Sequence, residues 1–272
     1  MPEWPEMEHY RKQLGNLVCG PYIADVAVHR PRSINKPPEA FADALRGRRI
    51  LFVERRGKHL LFHLDDGFRL LLHLMLDGYL YHGTEGLKPD SRYQVIIQFV
   101  NGNRLFFGGL RLGYLHHLPA KTAMETLREL GPEPFDPHLD EQGFARLFQN
   151  RRGALKPVLT DQRVIAGIGN CYADEICHEA RVSPLAKVPS LKEDDWSRLF
   201  HAMRRVLKEA EEAGGYMDKP LFAGDSRTGG YNERMRVYER EGERCPRCGG
   251  TVRRETVSSK STYFCPVCQP VD

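Results

Sequence analysis

The residues best placed to do chemistry stand at the start of the chain, Met1-Pro2-Glu3-Trp4-Pro5-Glu6-Met7-Glu8. Removal of Met1, easy before a small residue such as Pro2, leaves proline with a free secondary amine. A carboxylate, Glu3, lies directly beside it. An α-amino group titrates about two to three units below a lysine, so much more of it is neutral near pH 7. A neutral amine can attack an electrophilic carbon such as C1′ of a sugar and form a Schiff base. The adjacent acid can then shuttle protons. The same stretch also has an ordinary reading: proline suits the first turn of a helix, and Glu3, Glu6 and Glu8 suit its positive end.

The strongest spacing signal is Cys245-Pro-Arg-Cys248, sixteen intervening residues, then Cys265-Pro-Val-Cys268. Four thiolates in two close pairs suit one tetrahedral zinc, and a closed set of four makes that metal structural rather than catalytic. A redox pair is the rival, but redox motifs do not come doubled at this spacing. Arg244, Arg247, Arg253, Arg254 and Lys260 surround the cysteines. A basic hairpin on a zinc staple can grip phosphates, or it can be only a solvated charged face. The other three of the seven cysteines, Cys19, Cys171 and Cys177, are scattered, which argues against a secreted disulfide framework.

Two weaker signals accompany these. Gly167-Ile-Gly-Asn170 precedes Tyr172-Ala-Asp-Glu175, and such glycines permit a turn with exposed N–H groups at the mouth of a helix, a ready phosphate site. Taken by itself this is an ordinary helix–turn–helix. Lys58 follows the turn Arg56-Gly57 and is either displayed into a cleft or merely solvated. His73, inside Leu72-His73-Leu74, is by default a core histidine.

Elements must hold these groups in place. Met7, Tyr10, Leu14 and Leu17 recur at helical spacing and predict an amphipathic helix over residues 3–17. From Ile50 to about Leu115, apolar runs at 49–54, 59–64, 68–76, 94–100 and 104–107, separated by turn signals, predict an antiparallel sandwich. The composition breaks near Leu130-Gly-Pro-Glu-Pro134. Helices are then expected at 140–150, 155–159, 172–180 and 191–213, the last with a Ser190/Glu193 capping box and stopped by Gly214-Gly215. Residues 216–236 have no periodicity and suggest a mobile loop. The fold class is therefore α+β and multidomain: a β-sandwich with flanking helices over 1–131, a helical domain over 132–236 and a cysteine module over 237–272.

Composition bounds the rest. A chain of 272 residues with 41% hydrophobic content has enough material for real cores, and its net charge is only +4. Any acidic partner must meet local patches such as Arg55-Arg56-Lys58, Arg151-Arg152 and Arg234 to Arg254. The longest apolar run, Leu70 to Leu76, is interrupted by His73 and falls far short of the ~20 residues of a spanning helix. The N-terminus is acidic and has no signal-peptide pattern. A soluble, intracellular, cytoplasmic monomer without a membrane partner is expected.

The motifs occur together and in one order. Pro2-Glu3-x-Pro5-Glu6-x-Glu8, Gly57-Lys58, His73-Leu74, Leu130–Pro134, Lys156-Pro157-x-Leu159-x-Asp161-Gln162, Gly167–Glu175 and the four-cysteine finger ending in Gln269 resemble the formamidopyrimidine-DNA glycosylase / endonuclease VIII family over nearly the whole chain. The resemblance implies a bifunctional DNA glycosylase with AP lyase activity in base excision repair. It would act on double-stranded DNA with damaged bases and flip the lesion out of the duplex. It implies that Pro2 is the Schiff-base nucleophile, Glu3 the proton donor, and Glu6 an assistant at the sugar. Lys58 would serve proton transfer or phosphate binding. His73, Arg151 and Asn170 would hold phosphates, positioning the DNA without reading its sequence. The helical region becomes a helix–two-turns–helix domain, and 216–236 takes the place of the lesion-capping loop.

Two departures from the family pattern stand out. In the formamidopyrimidine branch a methionine, an arginine and a phenylalanine fill the gap left by the flipped base. The corresponding positions here are Leu76, Leu110 and Leu112. Apolar wedges still suit unstacked DNA, but leucine at 110 cannot hydrogen-bond the opposite base, and Arg111 is shifted by one residue. Strict selection of 8-oxoguanine opposite cytosine is therefore not expected. In the finger, Lys260 stands five residues before the third cysteine, where the family usually has arginine. Lysine keeps the charge but loses the planar fork. Two alternative readings follow: an enzyme mainly for abasic sites or atypical adducts, and a lesion-binding zinc-finger protein without chemistry.

Overall fold

The computed structural model describes residues 1–84, 86 and 92–270. The chain forms two compact units that do not follow its order. Met1–Arg128 together with Ala213–Gly230 make the first, and Glu129–Glu212 together with Tyr231–Asp272 make the second. Of the loop expected over 216–236 in the helical domain, residues 216–230 thus lie in the first unit and 231–236 in the second.

In the first unit, helix α1 spans Trp4–Leu17, with Pro5 in its first turn. Met7, Tyr10 and Leu14 lie on one face and are fully buried. Strands β1 (Ile23–Val28), β2 (Ile50–Arg56), β3 (His59–Leu64), β4 (Phe68–His73), β5 (Tyr79–Gly83), β6 (Tyr93–Phe99), β7 (Arg104–Gly108) and β8 (Tyr114–Pro119) form two antiparallel four-stranded sheets, ordered β1-β6-β7-β5 and β2-β3-β4-β8. Helix α2 (Pro38–Leu45) and α3 (Ala120–Thr126) flank them. Alternate residues enter the core, as in β6, where Val95, Ile97 and Phe99 are buried between half-exposed neighbours. Leu60, Phe62, Leu70, Leu72, Leu80 and Phe107 join the same cluster.

The strand predicted over 68–76 ends at His73. Met75 takes φ +53°, which breaks the extended run, and at Gly78 a Cβ would lie 2.3 Å from the Leu74 carbonyl. His73 therefore stands at a strand end, not in its middle, and Leu76 lies in a tight turn. The 213–230 segment packs on this unit through specific contacts. Leu221 is buried in the sandwich core, its carbonyl accepts from the His82 N–H at 2.6 Å, and the Asp225 carboxylate accepts from the N–H groups of Leu221, Arg227 and Thr228.

In the second unit, α4 (Glu141–Phe148), α5 (Leu155–Leu159), α6 (Asn170–Ala180) and α7 (Glu193–Glu212) precede a two-stranded hairpin, β9 (Arg253–Val257) and β10 (Lys260–Phe264). Leu199, Phe200, Met203 and Leu207 form the buried face of α7, and Trp196 stacks on Phe148 at 4.7 Å. The expected Ser190 cap is not formed. Ser190 sits in a short 3-10 turn and donates to the Lys187 carbonyl, and the Asp195 carboxylate instead accepts from the Lys192 N–H at the helix start. Among the described residues no helix is long and apolar enough to cross a membrane.

Candidate active site

The N-terminal dyad is held by a carboxylate latch. Glu3 and Glu6 form a capping box at the head of α1, in which the Glu3 N–H donates to Glu6 Oε2 at 2.8 Å. The other Glu6 oxygen accepts from the Tyr216 N–H at 2.9 Å. Gly214 and Gly215, both at positive φ, let the returning chain approach this closely. A Cβ on Gly215 would lie 2.2 Å from Glu6 Oε1. Glu3 and Glu6 are each 1% exposed, so two buried carboxylates rest on backbone donors. Each Glu6 oxygen thus accepts from a main-chain N–H group, one from Glu3 and the other from Tyr216.

The Tyr216 hydroxyl closes the arrangement. It donates to the Met1 carbonyl at 2.7 Å and accepts from the Met1 amino group at 3.3 Å. Pro2 is buried. Further along α1, the Glu8 carboxylate pairs with Arg11 and with Arg55 of β2 at 2.6 and 2.9 Å. Arg55 also lies over the Trp4 ring at 4.9 Å. Tyr216 carried no motif of its own in the sequence; the glycine pair before it reads equally well as a helix stop.

Lys58 and His73 share a second cluster in the same unit. Gly57, at φ +56°, turns β2 into β3. Lys58 is only 5% exposed, so it is not a solvated turn lysine. The His59 and His73 rings meet edge to face at 4.4 Å, and His59 Nε2 lies 3.1 Å from the Tyr114 hydroxyl. Burial pushes His73 down to about 3, with His59 and Lys58 adding to the effect, and burial pushes His59 down to about 4. Both rings are neutral near pH 7. The Met75 N–H donates to His73 Nδ1 at 3.1 Å, which leaves the proton on Nε2 and makes that nitrogen a hydrogen-bond donor.

The three wedge positions do not share one fate. The turns that carry them pack backbone to backbone, since a Cβ on Gly109 would lie 2.0 Å from the Asp77 carbonyl and one on Gly113 would lie 2.6 Å from that of His73. Leu76 and Leu112 stand 56% and 62% exposed, whereas Leu110 is fully buried in the sandwich core. Its N–H donates to Gln94 Oε1 and its carbonyl accepts from Ser33 Oγ, so main chain and side chain both face inward. Leu110 thus lies in the core, apart from the exposed Leu76 and Leu112. Arg111 is exposed.

In the second unit, Asn170 opens α6, and its side-chain oxygen is buried without a hydrogen-bond partner. Gln162 shapes the turn before it, accepting from the Gly167 N–H and donating to the carbonyls of Thr160 and Ile168. Arg151 is exposed and lies 3.8 Å from Asp161. Lys260 begins β10, just after Ser258 and Ser259 at positive φ. Its hairpin is tied to the helices by a pair that sequence reading missed. Lys156 Nζ donates to Asp174 Oδ2 at 2.7 Å and to the Ser261 carbonyl at 2.6 Å, and the same Asp174 oxygen accepts from the Tyr263 N–H at 2.9 Å.

Cys245, Cys248, Cys265 and Cys268 place their sulfurs within 4.8 Å of one another. The Cys245–Cys268 and Cys248–Cys265 pairs are 3.8 and 3.5 Å apart. A tetrahedron with Zn–S bonds of about 2.3 Å has edges of about 3.8 Å, so the donor set fits one zinc ion and binds it as a closed structural site. His178 Nε2 lies 3.3 Å from Cys245 Sγ and joins the site to α6.

Comparison with known proteins agrees over the whole chain. Residues 1–114 match the family model for the formamidopyrimidine-DNA glycosylase N-terminal domain. Residues 130–219 match its H2TH domain, and 242–271 the zinc finger found in FPG and IleRS. The formamidopyrimidine-DNA glycosylase of Pelotomaculum thermopropionicum is 36% identical across all of both chains. That of Heliobacterium modesticaldum is 37% identical over 99% of this chain and 100% of its own. A Lactococcus lactis FPG variant in complex with Fapy-dG DNA superposes with a TM-score of 0.91 at 29% identity, covering 99% of this chain and 100% of that one. A Lactococcus lactis Fpg bound to DNA with an abasic site gives 0.91 at 28% identity, covering 98% and 99%. The chain belongs to the formamidopyrimidine-DNA glycosylase family.

Proposed function

We propose that this DNA glycosylase and AP lyase uses Pro2, freed of Met1, as its nucleophile on damaged duplex DNA. The observation that carries the reading is the latched N-terminus: Pro2 and Glu3 are both buried, and Glu6 accepts from the N–H groups of Glu3 and Tyr216. A flipped nucleotide presents C1′ to the Pro2 nitrogen. The nitrogen lone pair forms the new C–N bond as the base leaves with its bonding electrons, and the proton shed by the Pro2 nitrogen neutralises the departing base. Glu3 gives a proton to the ring oxygen, and the sugar opens to an imine. Loss of a C2′ proton then expels the 3′ phosphate, with Lys58 beside His73 as the proton-transfer or phosphate-binding group. Glu6 positions Glu3.

His73 through Nε2–H, Asn170 and Arg151 serve as phosphate contacts. Leu76 and Leu112 fill the space of the flipped base, with Arg111 as the exposed cation beside them. Lys260 serves the finger's phosphate grip and the final elimination. Zinc on the four cysteines holds the finger hairpin and takes no part in bond changes. With leucine buried at 110, no bidentate reader faces the opposite base from that position, where one good contact is worth ~1–3 kcal/mol. The lesion range is therefore broad and only weakly dependent on the opposite base. The enzyme works as a monomer at the chromosome and has no membrane partner.

Borohydride trapping on a duplex with one abasic site tests this. Native protein is expected to give a covalent adduct and Pro2→Gly to lose it; on a duplex carrying a damaged base, Glu3→Gln is expected to keep DNA binding while base release falls by about 10²-fold or more. An adduct undiminished in Pro2→Gly would reject the assignment.

A further inference from the structure

The Met1 carbonyl carbon is bonded to the Pro2 nitrogen at about 1.33 Å, which is the place C1′ takes once that nitrogen has attacked a sugar. Met1 therefore stands in for the covalent intermediate. Its carbonyl oxygen occupies the position of an oxygen on C1′: the hydroxyl of the carbinolamine formed from a ring-opened abasic aldehyde, or O4′ of a closed sugar. The Tyr216 hydroxyl contacts this oxygen, donating to it at 2.7 Å.

We propose that Tyr216 is a catalytic residue that hydrogen-bonds the oxygen leaving C1′ as the Pro2 imine forms. The proposal rests on the Pro2 assignment and extends it. In the step, the nitrogen lone pair makes the C=N bond and the C1′–O bond breaks with its electrons on oxygen. Glu3 supplies the proton that oxygen keeps, and Tyr216 retains its own while stabilising the developing charge. From a carbinolamine the product is water; from a closed sugar it is the O4′ hydroxyl. Hydrolysis of the imine at the end of the reaction runs the same path backwards, with Tyr216 on the incoming water.

Two further observations support this. The residue's own N–H is fixed to Glu6, whose other oxygen fixes Glu3, so one carboxylate sets both groups. The two glycines before Tyr216 are needed for that approach, because a Cβ at 215 would collide with the Glu6 carboxylate. The main-chain anchor does not depend on the hydroxyl, so Tyr216→Phe removes only the donor.

The test is single-turnover borohydride trapping on a natural abasic-site duplex, comparing native protein with Tyr216→Phe, with binding to a tetrahydrofuran-site duplex measured in parallel. That analogue has no oxygen that can leave and no reactive C1′. The expected result is adduct formation slowed about tenfold or more, with tetrahydrofuran binding unchanged and multiple-turnover release slowed by a similar factor. Unchanged trapping would overturn the proposal. Equal losses in trapping and in tetrahydrofuran binding would also overturn it, making Tyr216 a DNA-holding group. Absence of an adduct from native, Met1-free protein would remove the imine chemistry itself and is distinguishable from either result.

Discussion

Leu110, Arg111 and Leu112 are consecutive, and burial separates what they can do. Leu110 fills a core position, where truncation leaves a cavity costing about 2–5 kcal/mol. Leu112, at 62% exposure, has little to lose in the free protein. Leu110→Ala is therefore expected to lower the denaturation midpoint markedly, and Leu112→Ala to leave it within about 0.5 kcal/mol of native. On a tetrahydrofuran-site duplex the order should reverse, Leu112→Ala weakening binding more than Leu110→Ala once both proteins are folded. Denaturant titration and fluorescence anisotropy on the same two variants check this. A stability loss in Leu112→Ala with no change in binding would return that residue to ordinary surface. A second consequence is that Leu110→Arg puts a guanidinium at a buried apolar position and is expected to lower the denaturation midpoint.

At the scale of elements, α6 is the spine of the second unit. Its first residue is Asn170, and its middle carries two buried carboxylates that reach outward to other segments. Glu175 accepts from the N–H groups of Arg236, Val237 and Tyr238, and Asp174 holds β10 through Tyr263. Its last turn presents His178 to Cys245, while the His178 carbonyl accepts from Arg247. The finger is thus continuous with the helices instead of hanging from them, and Gln269 ties its far end to the Val182 carbonyl. Structural zinc in small fingers is worth about 10–16 kcal/mol of apparent binding free energy at pH 7, comparable to the whole stability of a domain at about 5–15 kcal/mol. Removing it should therefore loosen more than residues 242–271. Chelation is expected to strip hydrogen-exchange protection from the finger and from the second half of α6, while β3 and β4 keep theirs. Protection in α6 that survived complete zinc loss would show that the finger contributes nothing to the helix.

Over the whole molecule, what spacing reveals and what it hides follow from range. The zinc ligands are legible because four cysteines in two close pairs admit few geometries, and α1 is legible because its buried face repeats at 3.6 residues. The return of residues 213–230 to the first unit is not legible. It rests on Leu221 in the core and on Asp225 bonds, two anchors in a polar stretch with no period. The burial of Lys58, Leu110 and three histidines is hidden for a similar reason, since polar or isolated residues show no sidedness in sequence. Those histidines give the first unit an acid limit. Burial depresses His59 to about 4, His73 to about 3, and His117 to about 4. Each titrates near 6.5 when the chain is unfolded. Between these values the unfolded chain binds more protons, so stability is complete above about pH 6.5 and is lost as pH falls toward 4. Each well-buried ring contributes on the order of 1–2 kcal/mol at pH 5. Glu8, held below the usual carboxylate range by Arg11 and Arg55 despite its burial, adds a further loss only below about pH 4.5. The unfolding midpoint of the first unit, followed by tryptophan fluorescence of Trp4, is expected to fall steadily from pH 7 to 5. A His59→Asn, His73→Asn double variant should be less stable at pH 7 yet fall less steeply. A native midpoint that stayed level across that interval would mean that these rings are protonated in the folded protein, and that His73 meets DNA as a cation instead of through a neutral Nε2–H.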